Sequence, residues 1–231
     1  MKKFRKLVPA LCMLLVSAVL MGTSTYAWFS MNRTVTAEGM TITAQADNVW
    51  LVINSGNTFN AENQETSAST KATVNKLYPA AVKNSVVLDK DNVATPGSWY
   101  YTYSSANNSS TKADGAAEVT LTSLDGYVAS EVFSIGLSNK SGAKDTGDKK
   151  LQLTKVELPA NTGISVIVVC GDNVYHHKAN STTAQDLAAQ ATSTGTQVTV
   201  YYYINGEDTN VYTDNLAALT GSVKLTFEVE A

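Results

Sequence analysis

From Gly126 to Ala231 the chain is written in strand-length segments, and this pattern limits what it folds into more than any other feature. GYVASEVFSIGLSN (126–139), KKLQLTKVELPA (149–160), TQVTVYYYING (196–206) and SVKLTFEVEA (222–231) alternate, while GISVIVVC (163–170) is almost wholly apolar. Successive strand side chains point to opposite faces, so alternation marks one buried face and an apolar run marks a fully buried strand. In KKLQLTKVELPA, Leu151 and Leu153 stand in one phase and Val156 and Leu158 in the other. Both pairs reach one core only if a residue is inserted between them, which predicts a β-bulge near Thr154.

Upstream, TVTAEGMTITA (34–44) alternates, with Gly39 as a bend. VWLVIN (49–54), LYPAAV (77–82) and SWYYTY (98–103) read as shorter extended pieces. The polar stretches 55–70 and 104–116 read as loops, and 89–98 carries turn signals. Two segments have helical character. STTAQDLAAQA (181–191) offers Ser181 or Thr182 as N-cap, and YTDNLAALTG (212–221) offers Thr213 or Asp214, with Gly221 past its end. Eight or nine short strands predict an all-β fold: a jelly-roll-like β-sandwich with one or two short helices in its connections.

The N-terminus reads as a targeting segment. MKKFRK is basic, and the 15 residues 7–21 carry no charge, which suits a secretory h-region better than a span of about 20 residues. Thr25 and Ala27 fit the −3 and −1 sites of a signal peptidase, which predicts cleavage before Trp28. The alternative is an uncleaved anchor extending through Gly22 to Ala27. The expected organisation is a signal peptide over 1–27 and one secreted β-sandwich domain over 28–231. Loss of Lys2, Lys3, Arg5 and Lys6 leaves 13 basic against 20 acidic residues, a net −7. Such a surface gives no electrostatic reason to bind nucleic acid or an anionic membrane.

Little in the sequence points to catalysis. The two histidines, His176 and His177, are adjacent in NVYHHK, which reads as a solvated turn. Neighbouring strand residues face opposite ways, so the pair is poorly placed to chelate one ion. H-E-x-x-H, G-x-S-x-G and a Gly-rich phosphate loop are all missing from the sequence. Glu207 and Asp208 could join Asp172 or Asp214 around calcium, but acidic turns are more simply solvated. LPANTG (158–163) reads as a strand end and turn. The tyrosines of SWYYTY and YYYI suggest either a carbohydrate-binding face or strands half core and half surface. Cys12 lies in the apolar N-terminal run, and Cys170 reads as a buried small hydrophobe. Hence the sequence predicts no enzyme, no metal and no cofactor.

A signal segment ending in TYAWFS, followed by the Val/Thr strand TVTAEGMTITA, resembles the TasA/camelysin family of biofilm matrix proteins of Gram-positive bacteria. YVASEVFSIGLSNKSG with LQLTKVEL resembles a strand pair of that family, and SVKLTFEVEA its last strand. YYYINGEDTN resembles a segment of clostridial relatives. Trp28 departs from the pattern, being bulkier than the small residue expected there. The resemblance implies processing by a SipW-type signal peptidase and a jelly roll that homopolymerises into extracellular fibres, free of the membrane once processed. In such fibres the N-terminal segment of one subunit enters the next as a strand, here residues 28–44, with Trp28, Phe29, Val35 and Ile42 as anchors. Each aromatic could contribute roughly 2–3 kcal/mol if fully buried. The same residues could instead fold back into their own sheet. A monomeric cell-surface adhesin or carbohydrate-binding module is the alternative function, and a camelysin-like metalloprotease a more distant one.

Overall fold

The strand Ile164–Cys170 is buried on both faces at every residue but the half-buried Val169, and the architecture follows from what covers each side of it. The computed structural model describes residues 41–45, 51–62, 67–69, 77–101, 119–138, 150–211 and 221–230. Chain contacts separate Met1–Val35 from Thr36–Ala231, and every described residue belongs to the second unit.

The strands are β1 (Thr41–Gln45), β2 (Leu51–Ser55), β3 (Ser67–Ser69), β4 (Ala80–Val82), β5 (Trp99–Tyr101), β6 (Val119–Thr120), β7 (Val128–Leu137), β8 (Leu151–Glu157), β9 (Ile164–Cys170), β10 (Asn173–His177), β11 (Gln185–Ala188), β12 (Thr196–Ile204) and β13 (Lys224–Val229). They form an outer sheet β11-β8-β13-β1-β3, a middle sheet β10-β9-β12-β7-β2 and a small sheet β4-β5-β6. From β7 onward the chain crosses between the two large sheets at every step except the β9–β10 hairpin, which turns through Gly171 and Asp172. The runs β1-β13-β8-β11 and β7-β12-β9-β10 have the strand order of a jelly roll, so the expected all-β sandwich is the observed fold.

The main core lies between the two large sheets. Leu151, Leu153 and Val156 of β8 and Leu225 and Phe227 of β13 meet Val166 and Val168 of β9 and Val200 and Tyr202 of β12. A second core lies on the far side of the middle sheet, where Ile167 and Tyr203 pack against Ala80, Val82, Val93, Trp99 and Leu121. Trp99 meets Tyr203 edge-on at 4.9 Å, and its indole Nε1 donates to the Val93 carbonyl at 2.9 Å. Apolar surface on both sides is why β9 is apolar at nearly every position.

The bulge falls where the two-phase pattern of β8 puts it. Thr226 pairs with Lys155 and Phe227 with Leu153, so Thr154 is the extra residue. Its hydroxyl donates to the Thr226 carbonyl at 3.3 Å. LPANTG ends β8 and turns, with Asn161 at φ 59° and Gly163 at φ 64°.

Several expectations are corrected. Residues 181–191 form no helix: Gln185–Ala188 is β11, an edge strand paired with β8. Tertiary contacts override the helix-forming residues there. Leu187 is buried in the main core, Asn173 Nδ2 donates to the Leu187 carbonyl, and the Tyr175 hydroxyl donates to the Asp186 carbonyl. The second helical candidate, 212–221, falls almost wholly outside the described residues. NVYHHK is not a solvated turn but strand β10, with His177 only 6% exposed. Ser67–Ser69, expected within a loop, forms β3. Thirteen strands are described, against the eight or nine expected. No helix among the described residues is long and apolar enough to cross a membrane.

Candidate assembly site

All ladders among the described strands are antiparallel except one, that between β1 and β13. Thr41, Ile42, Thr43, Ala44 and Gln45 run alongside Lys224, Leu225, Thr226, Phe227 and Glu228 in the same direction. On its other side β1 pairs antiparallel with β3 over Thr41↔Ser69, Ile42↔Ala68 and Thr43↔Ser67. Behind this seam, β2 of the middle sheet lies against both β1 and β3.

The seat for β1 is built by β13. Leu225 and Phe227 are fully buried and anchor β13 in the core, which presents its backbone edge to β1. Lys224 at the start of the ladder is held by Glu157 of β8. Glu157 Oε1 meets Lys155 Nζ at 2.9 Å, and Oε2 faces Lys224 Nζ at 3.5 Å as an ion pair without a hydrogen bond. These lysines hold the Glu157 carboxyl below the usual carboxylate range, Lys155 having the larger effect. Without β1, the backbone groups that alternate residues of β13 turn to this side along the five-residue ladder would lose their partners. A row of unpaired N–H and C=O groups is a template for any extended chain. At a net of roughly 1 kcal/mol per bond, five residues of pairing are worth about 5 kcal/mol.

Of the residues expected to act here, Ile42 lies in β1 in register with Leu225 and Ala68. Thr25, Ala27, Trp28, Phe29 and Val35, with the signal segment, lie outside the described residues. The parallel direction of β1 had no signal in the sequence, because alternation marks a strand without naming its neighbour.

The residues singled out for chemistry form a joint between layers. On β10, His176 and His177 do face opposite ways. His176 Nε2 shares a 2.6 Å hydrogen bond with the Tyr203 hydroxyl, and His177 Nε2 lies 2.9 Å from Gln185 Oε1 on the other side. Burial first, then Lys178 and His177, lowers the His176 pKa to about 4, so the ring is neutral at neutral pH. Burial also raises the pKa of the Tyr203 phenol. Glu207 accepts a hydrogen bond from the Tyr100 hydroxyl, and its other oxygen lies 3.6 Å from Lys178 Nζ. Asp208 accepts from the backbone and side-chain amides of Asn210, both at 2.8 Å. Asp214 lies outside the described residues. Among the described residues no three His, Cys, Asp or Glu side chains stand together as metal ligands would.

Tyr100, Tyr202 and Tyr203 are fully buried, so they cannot form a carbohydrate-binding face. Tyr78, 61% exposed, lies 5.6 Å from Tyr127, which in turn lies 6.1 Å from Tyr101. Cys170 is buried and free, and burial pushes its thiol up to about 11, as suits a packing residue.

No protein-family model, curated protein or solved structure matches this chain.

Proposed function

We propose that this protein is a structural, non-enzymatic subunit of an extracellular biofilm matrix fibre. Polymerisation follows signal-peptide cleavage after Ala27 by a SipW-type peptidase. The freed segment 28–44 of one copy then takes the β1 seat of the next. The TasA/camelysin-like sequence features motivate this reading, and one observation carries it: the parallel seat between β13 and β3. A parallel neighbour cannot be reached by a tight hairpin, so the seat is filled by a strand whose placement local connectivity does not dictate. A strand that fills its own seat closes the subunit, whereas one that fills the next copy's seat propagates head to tail.

The test is to isolate the secreted protein, sequence its N-terminus and image it by electron microscopy. The reading expects a start at Trp28, fibres from that material, and only soluble protein when 28–44 are deleted. Fibres that persist after the deletion would refute it.

A second reading, a monomeric adhesin or carbohydrate-binding module, is favoured by the Tyr78–Tyr127–Tyr101 row at the surface. It expects a soluble monomer whose melting temperature rises with a polysaccharide ligand. A camelysin-like protease has no comparable observation behind it, since both histidine rings are engaged on opposite faces of β10.

A further inference from the structure

The seven residues after β2 do not behave as the polar loop their composition suggests. The Phe59 ring lies against two glycines of the sandwich. A Cβ on Gly136 would fall 2.7 Å from the ring, and one on Gly195 would fall 2.4 Å from it. Gly195 also holds φ +77°, a conformation that favours glycine. The backbone around the ring is tied to the middle sheet along its length. Gly56 N–H donates to Val132 O at 2.7 Å, and Ser134 Oγ donates to Gly56 O at 2.9 Å. Gln197 Nε2 donates to Asn57 O at 3.0 Å, and Asn60 N–H to Asn54 Oδ1 at 2.9 Å. Only four residues, 63–66, then separate this strap from β3.

β3 has little of its own to hold it. Its sequence is Ser-Ala-Ser, with no large side chain, and it pairs through three residues to β1 alone. Side chains of that size bury too little apolar surface to fix a strand. Beyond that ladder, β3 lies against β2 and is tethered by four residues to the anchored strap.

We propose that residues 56–62 and β3 are a clamp on the assembly seat, with Phe59 as its bolt. The strap is fastened to the middle sheet so that β3 closes the outer edge of whichever strand lies against β13. Because β3 grips through backbone pairing, it holds a strand of this chain or of a second copy equally. Phe59 is a positioning residue: it acts on the seated strand through β3. This inference rests on the reading of β13 as an exchange seat, but the clamp is measurable in the single subunit.

The experiment is hydrogen–deuterium exchange by mass spectrometry on the full secreted protein, comparing the parent with Phe59→Ala and Phe59→Leu. The expected result for Phe59→Ala is exchange faster by roughly tenfold, the factor for about 1.4 kcal/mol, over Thr41–Gln45 and Lys224–Val229. Peptides covering β9 and β12 stay protected, and Phe59→Leu, which keeps an apolar bolt, restores protection. Unchanged exchange over β1 would overturn the clamp, as would an equal rise throughout the sandwich. Should Phe59→Ala fail to fold, Gln197→Ala removes one strap anchor from the surface and must show the same localised rise. The two readings fail separately. Parent protein that never forms fibres, yet shows the localised rise, retains the clamp and loses the fibre. Fibres whose subunits exchange no faster with Phe59→Ala than without it lose the clamp and keep the fibre.

Discussion

Thr43 is the residue through which the seat is best tested. It is the middle residue of β1 and stands in register with Thr226 on one side and Ser67 on the other. Proline there removes a backbone donor and places a ring in the centre of a three-strand ladder, where proline is not tolerated. If β1 stays seated, one orphaned carbonyl costs roughly 1–3 kcal/mol. If β1 leaves, its pairing with β13 alone is worth about 5 kcal/mol at roughly 1 kcal/mol per bond, and its ladder with β3 is lost as well. A loss of about 3 kcal/mol, at a urea m-value of about 2 kcal/mol/M, moves the unfolding midpoint down by about 1.5 M. The assembly consequence is sharper. Thr43→Pro keeps an intact β13 and can receive a strand, but it cannot donate one. Mixed with parent protein it terminates chains, and fibres seen by electron microscopy shorten in proportion to its mole fraction. Thr43→Val, with a β-branched residue, leaves both readouts near the parent. An unchanged midpoint for Thr43→Pro would refute the seat. A lowered midpoint with parent-length mixed fibres would refute exchange between copies.

Three further outcomes follow from the fold. Deleting Thr154 removes the bulged residue and brings Leu151, Leu153, Val156 and Leu158 into one regular alternation, so a bulge-free β8 keeps all four on the core face. The deletion therefore retains a cooperative transition in urea, as does Thr154→Val, and loss of that transition in the deletion would refute the bulge as a simple correction of phase. Burial of His176, with the nearby charges of Lys178 and His177 adding to it, lowers its pKa from 6.5 to about 4 and favours the neutral ring bonded to Tyr203. Stability from this site is therefore full above pH 6.5 and falls as pH drops towards 4. Urea midpoints across that range decline less steeply for His176→Gln. Cys170, buried and with its thiol held up to about 11, reacts with a maleimide at neutral pH only after denaturant is added.

What could be read from the sequence depended on whether the signal was local. The bulge at Thr154 was legible because two leucines and a following valine and leucine occupy opposite phases of one strand. β9 was legible as buried because hardly any polar residue interrupts it, although nothing in it said that a second layer supplies its other face. That layer explains the errors. The histidines of β10 looked solvated because they sit among polar residues, and the tyrosines of β5 and β12 looked amphipathic for want of a visible partner. The small sheet of β4, β5 and β6 covers Tyr203, to which His176 is bonded, while His177 faces Gln185 of β11 and Tyr202 the main core. β11 was misread because Ala, Gln and Leu favour a helix when nothing else acts on them. Here Asp186 is tied to Lys150 and Gln152 of the β8 edge. An extended segment over 34–44 was expected, and Thr41–Gln45 is a strand, but its parallel run beside β13 depends on a partner about 180 residues away and leaves no local trace.

β1 ends at Gln45 and β2 begins at Leu51, in different sheets. Six Cα steps separate these residues, a reach of roughly 20 Å even when fully extended. A strand seated in a neighbour therefore holds the two bodies almost in contact, with little slack for one to swing against the other. In the fibre proposed above, that short tether would make a close-coupled rod rather than a beaded string.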